Sequence, residues 1–243
     1  MIKLKRKKRG IKILCIARDY SLLNTFTATA ECAWMLVMTS MHKFRGTMQS
    51  VLNGKWQSEL FRGRQLSQQR TLGVLGVERL GKMTVEYGKA FRMRVLGCDL
   101  KEIHIPSVEQ VDFDTLLQKS DIISIHIHMT PENYHLFNEK TFAKMKEGAV
   151  LVNTSRGDII DESALIKSLD SGKLSAFGAD VLHDEWRADM GDSPLVRYAK
   201  DHDNVIIIPH IGGCTYKSIV DARLFSARKL VHYLETGDEV RMP

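Results

Sequence analysis

Cysteine is scarce and scattered in this 243-residue sequence: Cys15, Cys32, Cys98 and Cys214 lie far apart, three of them in or beside apolar runs. That argues against a disulfide framework and against a C-x-x-C metal site, and makes a reducing cytoplasm the expected compartment. Long apolar runs are missing too. No segment approaches the ~18 uninterrupted apolar residues that a membrane-spanning helix requires. The apolar stretch at residues 11–17 contains Lys12 and stops at Arg18 and Asp19, which is too short for a signal-peptide core. Repeats, low-complexity tracts and flexible linkers are absent as well.

What is present is ordinary for a globular protein: 44% hydrophobic and 26% charged residues. The length suits one large α/β domain, or one domain plus part of another. A net charge of +6 suggests an anionic partner until it is located. Lys3, Lys5, Arg6, Lys7, Lys8, Arg9 and Lys12 supply more than all of it, and the rest of the chain is close to neutral. A solvated helix end or a turn before a strand accounts for such a run better than nucleic acid or lipid does.

Residues 10–17 (GIKILCIA) read as a first strand. From Thr27, the stretch TATAECAWMLVMTSMHKF is a helix with apolar side chains on nearly every face. It is therefore expected to be buried between domains or subunits, with Met35, Met38 and Met41 in the core. Residues 45–70 are polar and are expected to be irregular, anchored by Trp56 and Phe61. From Thr71 a regular alternation sets in. VDFDTLLQKS, EKTFAKMK and DESALIKSLDSGK read as helices, the last with Asp161 as N-cap and Gly172 near its end. DIISIHI, GAVLVNTS, SAFGADV and NVIIIPH read as strands. The segment LHDEWRADMGDSPLVRYAKDHD is expected to be irregular. A last helix, from Thr215, places Val220, Leu224, Ala227, Val231 and Leu234 on one face. Strands apolar throughout, each followed by a helix, imply an α/β fold with a doubly wound parallel sheet.

The alternation starts with TLGVLGVERLGKM. A short apolar run meets a glycine cluster, which opens into a segment with Leu80, Met83, Tyr87 and Phe91 at helical spacing. A second strand, MRVLGCDL, ends at Asp99, 23 positions after Gly76. In a dinucleotide-binding βαβ unit the glycines admit a pyrophosphate to the helix N-terminus, and an acid about 20 residues on takes the ribose hydroxyls. The G-x-G-x-x-G register is Gly76, Glu78, Gly81, with glutamate in place of the middle glycine. Its charge opposes a phosphate by roughly 1 kcal/mol at 4 Å in water and about 4 at an effective dielectric of 20, less if the carboxylate swings into solvent. Taken alone, the stretch is equally an ordinary strand-to-helix turn.

Ligands of such a sheet bind beyond the carboxyl ends of the strands. Arg156 in NTSRGD, Asp180 to Glu185 in ADVLHDE and His210 in PHIGG all emerge there. Together they suit reduction of a 2-oxo acid. An arginine fork holds a carboxylate and polarises a carbonyl. A histidine donates the proton as hydride arrives, and a glutamate paired with it favours the imidazolium. Singly, each has a plainer explanation: a surface arginine, a structural histidine, an aspartate capping a turn. His183, Asp184 and Glu185, or His126 with His128, are metal-ligand types, but neither pattern is a complete ligand set.

The combination resembles the D-isomer-specific 2-hydroxyacid dehydrogenases, which include phosphoglycerate dehydrogenase. The resemblance runs from about Gly10 through the last helix, carried by NTSRGDIIDESAL, by GADV with Glu185 five positions after Asp180, and by PHIGGCT. It implies a Rossmann-type NAD-binding domain at residues 25–213. Residues 1–24 are implied to be a remnant of a flavodoxin-like substrate domain, to which a C-terminal helix at 214–243 returns. By the resemblance Arg156, Glu185 and His210 are catalytic, and the cofactor is NAD. The cofactor is implied to meet Gly76, Arg79, Leu80 and Gly81 at its pyrophosphate, Asp99 at its ribose, and Thr154, Ser155, Asp180, Gly212 and Gly213 around its nicotinamide. It also implies a small 2-hydroxy or 2-oxo acid substrate, no nucleic-acid, membrane or metal partner, and a homodimer formed through the nucleotide domain. Formate is disfavoured, because formate dehydrogenases of this fold carry glutamine at the position of Glu185. Three features depart from the family pattern: Glu78, Trp186 where proline commonly follows the glutamate, and the small extent of the substrate domain. They raise the expectation of an impaired enzyme. The alternatives are an NAD-sensing interaction protein of the corepressor kind and a truncated gene product.

Overall fold

The apolar runs of the central region become strands, and those at Ile122–Ile125 and Ala149–Asn153 are buried on both faces. The computed structural model describes residues 14–16, 19–66 and 70–238. In chain order the elements are α1 (Tyr20–Leu23), α2 (Ala28–Met41), α3 (Phe44–Leu52), β1 (Thr71–Leu75), α4 (Arg79–Ala90), β2 (Arg94–Cys98), β3 (Val108–Gln110), α5 (Phe113–Lys119), β4 (Ile122–Ile125), α6 (Glu139–Lys144), β5 (Ala149–Asn153), α7 (Glu162–Asp170), β6 (Leu174–Ala179), α8 (Pro194–Asp201), β7 (Val205–Ile207) and α9 (Tyr216–Thr236). The strands form one seven-stranded sheet in the order β3-β2-β1-β4-β5-β6-β7. Every pairing in it is parallel. Strands of this kind need crossover connections, and the helices that supply them cover both faces.

Two apolar clusters fill the space between sheet and helices. One gathers Leu96, Ile123, Ile125, Leu151 and Phe177 with Phe137, Phe142 and Leu165. The other gathers Leu72, Val74, Ile122, Val150 and Val152 with Ala33, Leu36 and Val37 of α2. Helix starts are set by side-chain caps, each satisfying backbone donors that a first turn leaves unpaired. Asp112 Oδ1 accepts from Thr115 N–H at 2.7 Å, Asn138 Oδ1 from Lys140 N–H at 3.0 Å, and Asp161 Oδ1 from Ser163 N–H at 3.0 Å.

The register places the final residues of six strands in one row. Cys98 pairs with Leu75, Leu75 with Ile125, Ile125 with Asn153, Asn153 with Ala179, and Ala179 with Ile207. Whatever follows those residues in sequence is delivered to a single edge of the sheet.

Several expectations need correction. Residues 45–70 are not irregular throughout, since α3 forms there, and Trp56 is 89% exposed and anchors nothing. The long segment before β7 contains α8, capped by Ser193 and started by Pro194. Strand β3 is short and largely polar, which hid it. Helix α2 buries only one face: Ala33, Leu36 and Val37 are fully covered, while Met35 is 43% exposed. The strand expected at residues 10–17 lies mostly outside the described residues, and Leu14 to Ile16 are not in a strand.

The chain divides into two compact units, Thr29–Gly212 and the pair of terminal segments Met1–Ala28 with Gly213–Pro243. In the terminal unit the expected apolar face of α9 is exposed at Val220, Leu224, Val231 and Leu234. The buried residue of that helix is Lys229, whose ammonium donates to Asp19 Oδ2 at 2.7 Å and to the Cys15 carbonyl at 3.0 Å. The Asp19 side chain is wholly covered. Removing one member of a buried pair leaves an uncompensated charge, a loss of about 3–5 kcal/mol, whereas replacing both with apolar groups is far milder. Lys229→Met is therefore expected to loosen α9, read as faster amide exchange along that helix, and Asp19→Leu with Lys229→Met to restore most of the protection. Equal exchange in the single variant and the native chain would contradict this.

Candidate functional site

At β1 the chain leaves the sheet through Gly76, whose φ of +86° is open to glycine and costly to other residues. A side chain there would also meet the His126 carbonyl carbon at 2.9 Å, and one on Gly81 would sit 1.9 Å from the Gly76 oxygen. The two glycines thus let the first turn of α4 press onto the end of β1. Gly76 N–H donates to the Cys98 carbonyl at 2.8 Å. Val77 N–H donates to Asp99 Oδ2 at 2.6 Å, and Lys101 N–H to Asp99 Oδ1 at 3.0 Å. Asp99 is held against the turn by both its oxygens. Arg79 and Leu80, in the first turn of α4, are half-buried, and burial lowers the Arg79 guanidinium from its ordinary value.

Glu78 takes an extended backbone conformation, φ −82° and ψ −153°, that any residue can adopt. Its carboxylate is exposed and paired with the Lys101 ammonium. The outward swing that relieves phosphate repulsion is the geometry observed.

Next along the edge, Ser155 Oγ donates to the Ile127 carbonyl, tying the exit of β5 to that of β4. Asn153 shapes the turn that follows. Its Oδ1 accepts from Ser155 N–H at 3.0 Å, its Nδ2 donates to the Arg156 carbonyl at 2.9 Å, and its own carbonyl accepts from Asp180 N–H at 3.0 Å. Thr154 is buried, and its hydroxyl has no hydrogen-bond partner among the described residues. Arg156 is exposed, with Nη1 donating to the Ser155 carbonyl at 2.6 Å.

Asp180 is 2% exposed and organises the β6 and β7 exits. Oδ1 accepts from Ile211 N–H at 2.7 Å, Oδ2 from Gly212 N–H at 2.9 Å, and the Asp180 carbonyl from His210 N–H at 2.9 Å. Burial pushes the carboxyl above its ordinary value, and the Gly212 and Ile211 donors work against that rise. A side chain on Gly212 would lie 2.7 Å from Asp180 Oδ2. Cys32 is no nucleophile here: burial, helped by the Asp180 charge, pushes its thiol up to about 12.

His210 sits at φ +51°, uncommon for a residue with a side chain. Its Nδ1 is 2.6 Å from Glu185 Oε1, while Glu185 Oε2 accepts from Leu182 N–H at 3.4 Å. A carboxylate on Nδ1 fixes the orientation and tautomer of the ring. The Trp186 ring lies 6.3 Å from that of His210.

All the residues expected at the site except Gly213 therefore line one edge. Gly213 is exposed and is the first residue of the terminal unit. Sequence reasoning missed Asn153, Lys101 and the ties between the Arg156 and Glu185 loops. A side chain on Gly157 would clash with the Leu182 backbone at 2.0 Å, and His183 Nδ1 lies 2.5 Å from Asp158 Oδ1. The motif NTSRGD contained Asn153, Gly157 and Asp158, but nothing in their spacing distinguished a turn-former from a ligand. Among the described residues no group of three or more His, Cys, Asp or Glu side chains could hold a metal ion. A cavity of about 550 Å³ opens at the opposite end of the sheet, by Asp170, Ser175 and Asn204. It shares nothing with this edge.

The description of a matching family model is D-isomer specific 2-hydroxyacid dehydrogenase, NAD binding domain, and it covers residues 34–212. The chain is 37% identical to hydroxypyruvate reductase of Thermotoga maritima over 218 residues, which is 87% of this chain and 66% of that protein. It is 35% identical to D-3-phosphoglycerate dehydrogenase of Archaeoglobus fulgidus over 209 residues, 84% of this chain and 38% of that protein. Among solved structures, D-2-hydroxyisocaproate dehydrogenase superposes with a TM-score of 0.87 at 27% identity, covering 96% of this chain and 72% of that one. D-lactate dehydrogenase from Aquifex aeolicus, complexed with NAD and lactic acid, gives 0.84 at 31% identity, with 98% and 73% covered.

His126, beneath the Gly76 turn, has Nε2 2.9 Å from Ser124 Oγ, and burial lowers its pKa from 6.5 to about 4. The fold holds this ring neutral while an unfolded chain protonates it. Its contribution to stability is complete above 6.5, falls as pH drops below that value, and levels off near 4. Denaturant titrations are expected to show that His126→Asn flattens the stability profile across that window. An unchanged profile would contradict the assignment.

Proposed function

Because the chain belongs to the D-isomer-specific 2-hydroxyacid dehydrogenase family, whose NAD-binding domain it carries at residues 34–212, we propose that it moves a hydride between NAD(H) and C2 of a small 2-hydroxy or 2-oxo acid. The observation that carries this reading is the 2.6 Å His210–Glu185 contact on the edge that also holds the glycine turn and Asp99.

The edge suits the cofactor. Gly76 and Gly81 leave room at the start of α4, where backbone N–H groups and the helix dipole favour a pyrophosphate. Arg79 and Leu80 present backbone there. Asp99, already oriented, accepts from ribose hydroxyls, and its charge opposes the extra phosphate of NADP. Thr154 has a buried hydroxyl without a partner among the described residues to offer, and Ser155, Asp180 and Gly212 complete the surroundings of the nicotinamide on this edge. Bound there, the nicotinamide supplies or accepts the hydride.

The chain's own groups do the rest. Arg156 engages the substrate carboxylate and carbonyl oxygen with its planar fork. His210 gives a proton from Nε2 to the carbonyl oxygen in reduction and takes it back in oxidation. Glu185 holds Nδ1 and stabilises the charged ring. The chain spans 66% of the hydroxypyruvate reductase and 38% of the phosphoglycerate dehydrogenase. The names of its relatives suggest hydroxypyruvate and glyoxylate as first substrates to try. We assign the terminal unit to the substrate side of the protein. The exposed apolar residues of α3, namely Phe44, Met48, Val51 and Leu52, support a homodimer.

Assayed with NADH and hydroxypyruvate, His210→Gln is expected to lower kcat about 10²–10⁴-fold with little change in NADH affinity, and Arg156→Gln chiefly to raise KM for the oxo acid. Turnover by His210→Gln equal to native would overturn the proton-donor role. No turnover by native chain that binds NADH would overturn the oxidoreductase reading. In sedimentation, the native chain is expected as a dimer and Met48→Glu as a monomer; a native monomer would overturn the dimer.

A further inference from the structure

Lys101 is a residue that no motif picks out, yet its placement is built. Its backbone N–H donates to Asp99 Oδ1 at 3.0 Å, and its carbonyl accepts from Gln110 Nε2 at 3.0 Å. Gln110 Oε1, from β3, in turn accepts from Ile103 N–H at 2.8 Å. The loop after β2 is thereby clamped to the edge strand of the sheet. From this fixed base the Lys101 side chain reaches over the glycine turn and its ammonium pairs with the Glu78 carboxylate. Glu78 immediately precedes Arg79, the first residue of α4, so the pair lies at the mouth of the helix N-terminus flanked by Gly76 and Gly81.

We infer that Lys101 is a cofactor-affinity residue: it neutralises Glu78, so that a turn carrying glutamate in place of the middle glycine still accepts a dinucleotide pyrophosphate. The inference rests on the NAD-binding reading of this edge and adds to it a residue and a role. A bare carboxylate beside two phosphate charges repels them, whereas a carboxylate held by an ammonium presents no net charge. Lys101 can also turn from Glu78 to a phosphate oxygen as the cofactor arrives. Both side chains are largely exposed, at 77% and 57%. Solvent therefore screens the effect to a modest size, and added salt reduces it further. Because the backbone conformation of Glu78 does not demand glycine, charge rather than backbone geometry governs tolerance at this position.

The test is calorimetric titration of NADH into the full chain and three variants: Lys101→Met, Glu78→Gln, and the two combined. Circular dichroism and thermal melts check that each is folded. Lys101→Met is expected to bind NADH about fivefold more weakly than native, and Glu78→Gln about fivefold more tightly. The combined variant is expected within about twofold of native, because removing the glutamate removes what the lysine compensates. The differences shrink in high salt. Recovery by Glu78→Gln separates charge compensation from damage to the Asp99 loop, which the second substitution would leave in place. Lys101→Met binding like native, or a combined variant as weak as Lys101→Met, overturns the inference while leaving the NAD-binding reading intact. NADH binding by none of the four proteins overturns both.

Discussion

Parallel strands in register deliver their exits to one edge, and the rest of the structure depends on that delivery. A parallel strand is entered only after a crossover, so each strand is followed by a chain segment free to do something else before its helix begins. The alignment of Cys98, Leu75, Ile125, Asn153, Ala179 and Ile207 puts six such segments side by side. Each is then tied to the next. Asp99 bonds to Val77, Ser155 to Ile127, Asn153 to Asp180, and Asp180 to His210, Ile211 and Gly212. A chemical site assembled from residues 76 to 212 is thus continuous in space.

The cost of this arrangement is concentrated in a few groups. Asp180 is a carboxylate almost without solvent access, which is unfavourable unless its oxygens are satisfied. Two backbone donors and the β6 exit meet that need, and in doing so they fix the segment that carries His210. The left-handed backbone at His210 and Asp184 and the Thr154 hydroxyl, without a partner among the described residues, are further local departures from the relaxed state. Such departures persist where surrounding structure holds them, and they gather at functional edges. Here they flank the Glu185–His210 contact.

Much of this was legible in the residues. Apolar runs at β1, β2, β4, β5 and β6, with Asp161 before its helix, followed from periodicity and capping alone. Gly76, Gly81 and Asp99 followed from spacing. Strand β3 stayed hidden because an edge strand of three residues buries too little to show a pattern, and α3 and α8 because their polar faces masked short apolar stripes. The apolar face of the last helix was readable from its spacing, but no periodicity could show that Lys229 turns inward to meet Asp19, 210 positions away. Lys101 and the His183–Asp158 contact were unreadable for the same reason. Both join segments far apart in sequence, and their partners become neighbours only once the strands are in register. Glu78 looked disabling as a letter in a motif, while its geometry shows a carboxylate directed outward onto a cation.

The most direct measurement of the central claim is isotopic. NADH carrying deuterium at the transferring position of its nicotinamide would be incubated with the chain and hydroxypyruvate, and the product analysed by mass spectrometry and chiral separation. The account predicts D-glycerate with the deuterium at C2, because the edge built by Asp99, Arg156, Glu185 and His210 brings hydride donor and oxo acid together. Recovery of no deuterated 2-hydroxy acid above a protein-free control, or of the L product, would contradict it.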